Sequence, residues 1–268
     1  MQSIVSLVEF RSPPVVEVVC GVQFEPLAKF GAVHLGVFWG KVRADLPLFK
    51  QLAPLPNVVE NIDQPQAGLS YSLDLGSAQI PRVQFFEKTG EQYVTLQGTR
   101  FLHNWQKVPG GDYRRYRTIR PAFLEHWTRF LQFVQEENLG GLTVNQYEMS
   151  YINHVPAGEL WDDKRGLKGV LPWFTPRNPI VDSVFEPEVA LHSLVPRCRG
   201  RLHVSGKVGL RASDRARVLQ LELTVRGAPE ASDATDLASW MDAAREVIVR
   251  SFVELTSDEA RQHWGQTK

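Results

Sequence analysis

At 268 residues, 43% of them hydrophobic and 22% charged, the chain can bury a core as one large domain or as two small ones. Thirty lysines and arginines balance thirty aspartates and glutamates, so no global field points to nucleic acid or to a membrane surface. Two cysteines exclude a disulfide framework and a thiolate metal cluster, and with no secretory signal in MQSIVSLVEF and no apolar run near the ~20 residues of a membrane span, the reading is a cytoplasmic protein.

Residues 1–12 read as a loose leader ending at Pro13-Pro14. Val16, Val18, Cys20, Val22 and Phe24 then recur at every second position, which predicts a first strand with one strongly apolar face. Leu35, Phe38, Trp39, Val42 and Leu46 recur at helical spacing, although Gly31, Gly36 and Gly40 each weaken such a helix by about 1 kcal/mol relative to alanine. Either those glycines allow close packing or the helix is irregular. Residues 47–67, rich in proline and poor in periodicity, predict a long surface connection.

Three or four strands follow. Leu69, Tyr71, Leu73 and Leu75 alternate with polar residues, Val83 and Phe85 lead to a hairpin turn at Thr89-Gly90, and Val94 and Leu96 lie on the return. Phe101, His103 and Trp105 extend that return or form a further strand. A second helix carries Ile119, Phe123, Trp127, Phe130, Leu131 and Val134 on one stripe, with Pro121 read into its first turn and Gly140 just past its end.

LTVNQYEMSYINHV, residues 142–155, has Tyr147, Met149, Tyr151 and Val155 apolar and Gln146, Glu148, Ser150 and His154 polar, a period of two. Pro156 to Pro187, with Trp161, Trp173 and Phe174, reads as a packed irregular excursion. The clearest hairpin comes next, Leu202 to Leu210 and Leu219 to Val225 about a turn at Ala212-Ser213-Asp214. A last long helix carries Leu237, Trp240, Met241, Ala244, Val247, Ile248 and Phe252. Thr256-x-x-Glu259 then reads as a capping box opening a short terminal helix.

The expected fold is α+β, with antiparallel sheet and long helices on one face. Residues 13–140 and 141–268 form two halves packed as one globular unit after a leader, 1–12. Setting Val16, Glu17, Val18 and Cys20 against Tyr147, Glu148, Met149 and Tyr151 suggests internal duplication of a β-α-β(3–4)-α unit, an order similar to the TATA-binding-protein fold and, more loosely, to helix-grip folds. PPVVEVVCGVQFEPL at 13–27, YRRYRTIRPAFLEHW at 113–127, YEMSYINHV at 147–155 and the terminal HWG together resemble a sporadically distributed, uncharacterised family of bacterial and archaeal proteins. That resemblance implies a prokaryotic protein of patchy occurrence, as in mobile defence or toxin-neutralising modules, and carries no activity to any residue.

Catalytic patterns fail in turn. Gly200 to Lys207 has one residue too many for a phosphate loop and Val208 where a magnesium-binding hydroxyl belongs. No Gly-x-Ser-x-Gly elbow exists, and the seven histidines show no ligand spacing, so no catalytic residue, metal or cofactor is assigned. Cys198, between Arg197 and Arg199, is either a thiol with a depressed pKa or an ordinary loop cysteine. Asn153-His154, at the end of the central strand, is the best polar pair for a site; its structural alternative is a cap on loop backbone.

Charge placement adds two candidate binding clusters. One comprises Arg197, Arg199, Arg201, His203, Lys207 and Arg211; the other comprises Arg114 and Arg117 with Arg115, Arg120, Tyr113 and Tyr116. Cations at a helix start oppose its macrodipole, so acids of the last helix (Asp233, Asp236, Asp242, Glu246) or an external anion should offset them. Three functions follow: recognition of a protein partner, nucleic-acid binding if the basic residues converge on one face, or a small-ligand or enzyme pocket between helix and sheet around Asn153, His154 or His203.

Overall fold

Strict alternation along the strands decides what each side of the sheet holds, and the computed structural model, which describes residues 7–60, 80–174 and 186–267, shows both sides. Nine strands form one antiparallel sheet: β2 (Val15–Phe24), β3 (Leu48–Leu52), β4 (Arg82–Phe86), β5 (Gln92–Gln97), β6 (Arg100–Gln106), β7 (Val144–Pro156), β8 (Glu188–Val195), β9 (Gly200–Leu210) and β10 (Arg217–Gly227). Their order is β3-β4-β5-β6-β2-β7-β10-β9-β8. The two strands read as rhyming, β2 and β7, therefore lie side by side at the centre, with Cys20 opposite Met149 and Val22 opposite Tyr147. On each flank the innermost strand comes first in the sequence and its outer neighbour comes last. The first half has helix α1 (Ala32–Val42) after its central strand, whereas residues 157–174 of the second half form irregular turns.

Cys20 faces His103 on one neighbour and Met149 on the other, so Val18, Cys20, Val22 and Phe24, Phe101 and Trp105, and Tyr147 and Tyr151 share one face. Helices α2 (Tyr116–Glu136) and α3 (Leu237–Leu255) cover it with their apolar stripes. Phe130 of α2 is the hub: its ring lies 5.4 Å from Phe24, 5.2 Å from Phe101 and 5.9 Å from Phe38 of α1, and it is fully buried. Each such ring removed from water stabilises the fold by roughly 1.5–3 kcal/mol. Gly36 and Gly40 have open space around them on the outer side of a regular α1, so they serve neither close packing nor a kink.

Several sequence expectations change. The leader is anchored: Glu9–Phe10 form β1, paired with Gln266–Thr267 of β11, and Phe10 is buried against Phe252 and Trp264. The stretch read as a surface connection contains β3, an edge strand. Pro121 is the sixth residue of α2, inside the helix rather than in its first turn. The short helix α4 (Asp258–His263) is capped by Ser257, whose Oγ accepts from Ala260 N at 3.0 Å, while Thr256 instead bonds back to Phe252. The excursion is packed as expected over its described part, with Trp161 fully buried and its Nε1 donating to Val155 O at 2.9 Å. The strand expected at 69–75 lies outside the described residues.

Among the described residues no helix packs on the other side of the sheet. Residues 55–60 cross it as an extended strap held by side chains from successive strands. Gln97 exchanges two bonds of 2.9 Å with the Leu55 backbone, Arg100 donates to Pro56 O at 3.2 Å, and Gln146 donates to Val58 O at 2.7 Å. At its far end Glu60 meets His203 and Arg201 on β9.

Candidate functional site

Between β1, the end of β7, the start of α2 and the middle of α3 the helix-covered side is not filled. A cavity of about 210 Å³ remains. Phe10, Val15, Leu223, Ile248 and Phe252 supply apolar wall, and Tyr113, Tyr151 and Asn153 supply polar groups. Three arginines, Arg115, Arg117 and Arg245, and one carboxylate, Glu9, complete the charged part of the lining. Strand pairing explains the position of Asn153. It stands opposite Leu221 of β10 on the helix-covered face, where its odd-numbered neighbours Tyr147, Met149, Tyr151 and Val155 are apolar or tyrosine.

Asn153 is 1% exposed. Its Nδ2 donates to Leu221 O at 2.9 Å, and its Oδ1 accepts no hydrogen bond among the described residues. Unlike the ring nitrogens of His103, this oxygen is not sealed away from solvent, so it can accept a hydrogen bond from whatever enters the cavity. The Tyr113 and Tyr151 hydroxyls lie 3.4 Å apart. Burial pushes both phenols above their ordinary pKa, and each neutral hydroxyl can donate. Arg245 lies over the Tyr116 ring at 4.9 Å and Arg115 over the Tyr113 ring at 5.5 Å, while Arg115 also donates to Phe10 O at 2.8 Å. Among the described residues no serine, cysteine, lysine or histidine lines the cavity. It offers hydrogen bonds, positive charge and apolar surface, with no nucleophile–base pair.

The sequence pair Asn153-His154 is divided by the sheet itself. Adjacent strand residues point to opposite faces, so His154 leaves the cavity and bonds Gln220 Oε1 at 3.2 Å on the other side. The basic candidates also disperse. Arg114 pairs with Glu91 at 2.6 Å, Arg197 with Glu246 at 2.9 Å, and Arg199 with Asp236. Lys207 pairs with Glu188 at 2.6 Å and Arg211 with Asp214 at 2.6 Å. Arg201 and His203 share Glu60 on the strap side, the face opposite the start of α2. The two clusters therefore do not converge on one surface, the condition set for nucleic-acid binding. Of the basic candidates only Arg115 and Arg117 reach the cavity. Of the acids expected to offset the start of α2, Asp242 pairs with Arg120, whereas Glu246 pairs with Arg197 of the other cluster. Burial pushes the Cys198 thiol up to about 11 against the opposing Arg197 and Arg199 charges, so it is an ordinary buried thiol.

The strap side carries its own polar cluster. Glu148 of β7 and Arg226 of β10 form a pair at 2.5 Å, and Arg100 donates to Gln23 Oε1 at 2.6 Å. Burial alone would raise the Glu148 carboxyl, but Arg226 and Arg100 hold it below its ordinary value. Glu60 behaves likewise, with His203, Arg226 and Arg201 outweighing burial.

Sequence reasoning missed Arg245 and Glu60. A signal for Arg245 existed: it follows Met241 by one turn and precedes Val249 by one, so it is a cation set in the apolar stripe of α3. Glu60 had none, because the strap has no periodicity to place it. Among the described residues no cluster of three or more His, Cys, Asp or Glu could hold a metal ion, and no helix is long and apolar enough to cross a membrane. No protein-family model, curated protein or solved structure matches this chain.

Proposed function

We propose that the protein is a non-catalytic binding protein that holds a small molecule in the cavity between β1, β7, α2 and α3. The observation that carries this reading is Asn153, which lines an apolar-walled cavity and whose Oδ1 accepts no hydrogen bond from the described residues. A few polar groups converging in an otherwise apolar concavity is the usual make-up of a small-ligand site, and about 210 Å³ is below the ~300–1,000 Å³ range of drug-sized pockets. The occupant is accordingly compact. Benzyl alcohol, a small neutral probe with one hydroxyl donor, tests the site by amide and side-chain chemical-shift mapping. The expected result is perturbation of the Asn153 side-chain amide, abolished by Val8→Trp, which plugs the cavity from its partly exposed wall. Unchanged Asn153 signals at saturating probe would remove the reading.

Recognition of a protein partner is a second reading, favoured by an edge of the sheet with which no described strand pairs. Leu48 and Phe49 on edge strand β3 are 53% and 63% exposed, and Val33 of the neighbouring α1 is 75% exposed. An apolar, unpaired strand edge is a template for strand addition. Phe49→Asp should abolish co-purification of a stoichiometric partner from native extract, and an unchanged set of co-purifying proteins would count against this reading.

A further inference from the structure

The geometry points to the chemical class of the occupant: we infer that the cavity takes a small carboxylic acid with an apolar side chain and an adjacent N–H or O–H donor, the chemistry of an N-acyl amino acid. The inference rests on the cavity being the binding site and goes on to what fills it. Three features of the lining converge. First, it carries three guanidiniums against one carboxylate. Arg115 spends its donors on the Phe10 and Arg11 carbonyls, but Arg117 and Arg245 have no carboxylate at salt-bridge distance among the described residues. Neighbouring Arg114, Arg120 and Arg250 are all paired, so the lack of an acid at Arg245, half-buried on the inner side of α3, is local.

Second, the start of α2 forms part of the wall through Arg115, Tyr116 and Arg117. This helix runs 21 residues, no side-chain oxygen caps it, and its first turn holds no acid. The first-turn N–H groups of a helix lack intrahelical partners, and the macrodipole favours an anion there. Third, Asn153 Oδ1 takes no hydrogen bond from the described residues and can accept one from a donor, which a bare carboxylate cannot give. A carboxylate toward Arg245 and the α2 start, an adjacent N–H toward Asn153 and a branched apolar group against Val15, Ile248 and Phe252 satisfy all three. A phosphate would meet the cations but leave the apolar wall and Asn153 unmet.

Calorimetric titration of the full chain separates these contributions. The probes are N-acetyl-L-leucine, its neutral amide N-acetyl-L-leucinamide, and 4-methylpentanoate, which keeps the charge and branch but loses the N–H. A charge-assisted hydrogen bond in a half-buried site makes the acid about ten- to a hundredfold tighter than the amide. Arg245→Met keeps the stem over Tyr116 and should bring acid and amide to near parity, with the exposed Arg117→Met moving them the same way. Asn153→Leu should erase the advantage of N-acetyl-L-leucine over 4-methylpentanoate. An amide that binds as tightly as the acid in the wild-type chain overturns the inference, and benzyl alcohol binding in that same chain shows that the cavity reading survives it. Failure of all four probes removes both.

Discussion

The two faces of the sheet solve the same problem with opposite materials. On the helix side the core is aromatic and aliphatic, Phe130 in contact with Phe24, Phe38 and Phe101, and its few polar groups are poorly served. His103 is fully buried with neither ring nitrogen bonded, and Asn153 has an unused acceptor. On the strap side almost everything is polar and most of it is paired: Gln97 to Leu55, Gln146 to Val58 and Glu60, Glu148 to Arg226, and Ser150 to Thr224 at 2.6 Å. Shape complementarity holds one side, hydrogen-bond bookkeeping the other. An unpaired polar group is therefore expected on neither side, and where one occurs on the helix side it marks either tolerated strain or a ligand.

The comparison predicts different responses to deletion. Phe130→Ala leaves a cavity that no neighbour can refill and should cost about 4 kcal/mol in a urea titration. Arg226→Met should cost somewhat less, about 2–3 kcal/mol, because its side chain is 24% exposed and its removal strands Glu148. The strap side differs in being correctable. Replacing both partners, Glu148→Leu with Arg226→Met, should return stability to within about 1 kcal/mol of wild type, whereas no second substitution on the sheet rescues Phe130→Ala. A double variant as unstable as the sum of its singles would break the distinction.

Acid separates the faces by pH window. Burial, with the neighbouring His126, pushes the His103 pKa down to about 3, and burial likewise lowers His126. These rings stay neutral in the folded state while the unfolded chain takes protons below about 6.5, so stability is full above that pH and falls as pH drops toward 3. Glu148 and Glu60 have lowered folded values, so their contribution holds above their ordinary value near 4.5 and is lost only below it. Between about 6.5 and 4.5 the loss reports chiefly on the helix side, with a smaller share from exposed His192. The slope expected from His103 is about 1.4 kcal/mol per pH unit, about 2 kcal/mol at pH 5. His103→Phe should flatten the urea midpoint between pH 7 and pH 5, and an unchanged slope would sink the assignment.

The helix side was legible in the sequence because it is written in periodicity. Val18 to Phe24, Tyr147 to Tyr151 and the stripe from Ile119 to Val134 all state which way they face, and each is buried there. The strap side was legible only in part: β9 was read as one strand of the clearest hairpin, but what covers its polar face was not. Gln97, Arg100 and Gln146 bind backbone carbonyls and amides of residues 55–58, and backbone groups carry no residue identity for a sequence pattern to reveal. The basic clusters misled for a related reason, since Arg197, Arg199 and Arg201 are adjacent in sequence yet pair with Glu246, Asp236 and Glu60 in three directions. Asn153-His154 was singled out as a pair, although the period of two that made β7 recognisable already places its members on opposite sides.

The smallest expected effect is the most discriminating. If Asn153 is a structural residue that fixes β7 to β10, Asn153→Leu should destabilise the fold by more than its one hydrogen bond to Leu221, because a shaped polar contact is lost from the centre of the sheet. If it is kept for a ligand, the same substitution removes an acceptor that no described residue satisfies, and the loss of the Leu221 bond, about 1 kcal/mol, is offset by the gain from burying leucine. Thermal unfolding of the free protein should then shift by no more than a few degrees, while binding of benzyl alcohol weakens markedly. His154→Leu is the control on the opposite face: it breaks the Gln220 bond, faces away from the cavity and should leave probe binding unchanged. A large stability loss in Asn153→Leu with probe binding intact would instead make Asn153 part of the scaffold and leave the cavity without its polar anchor.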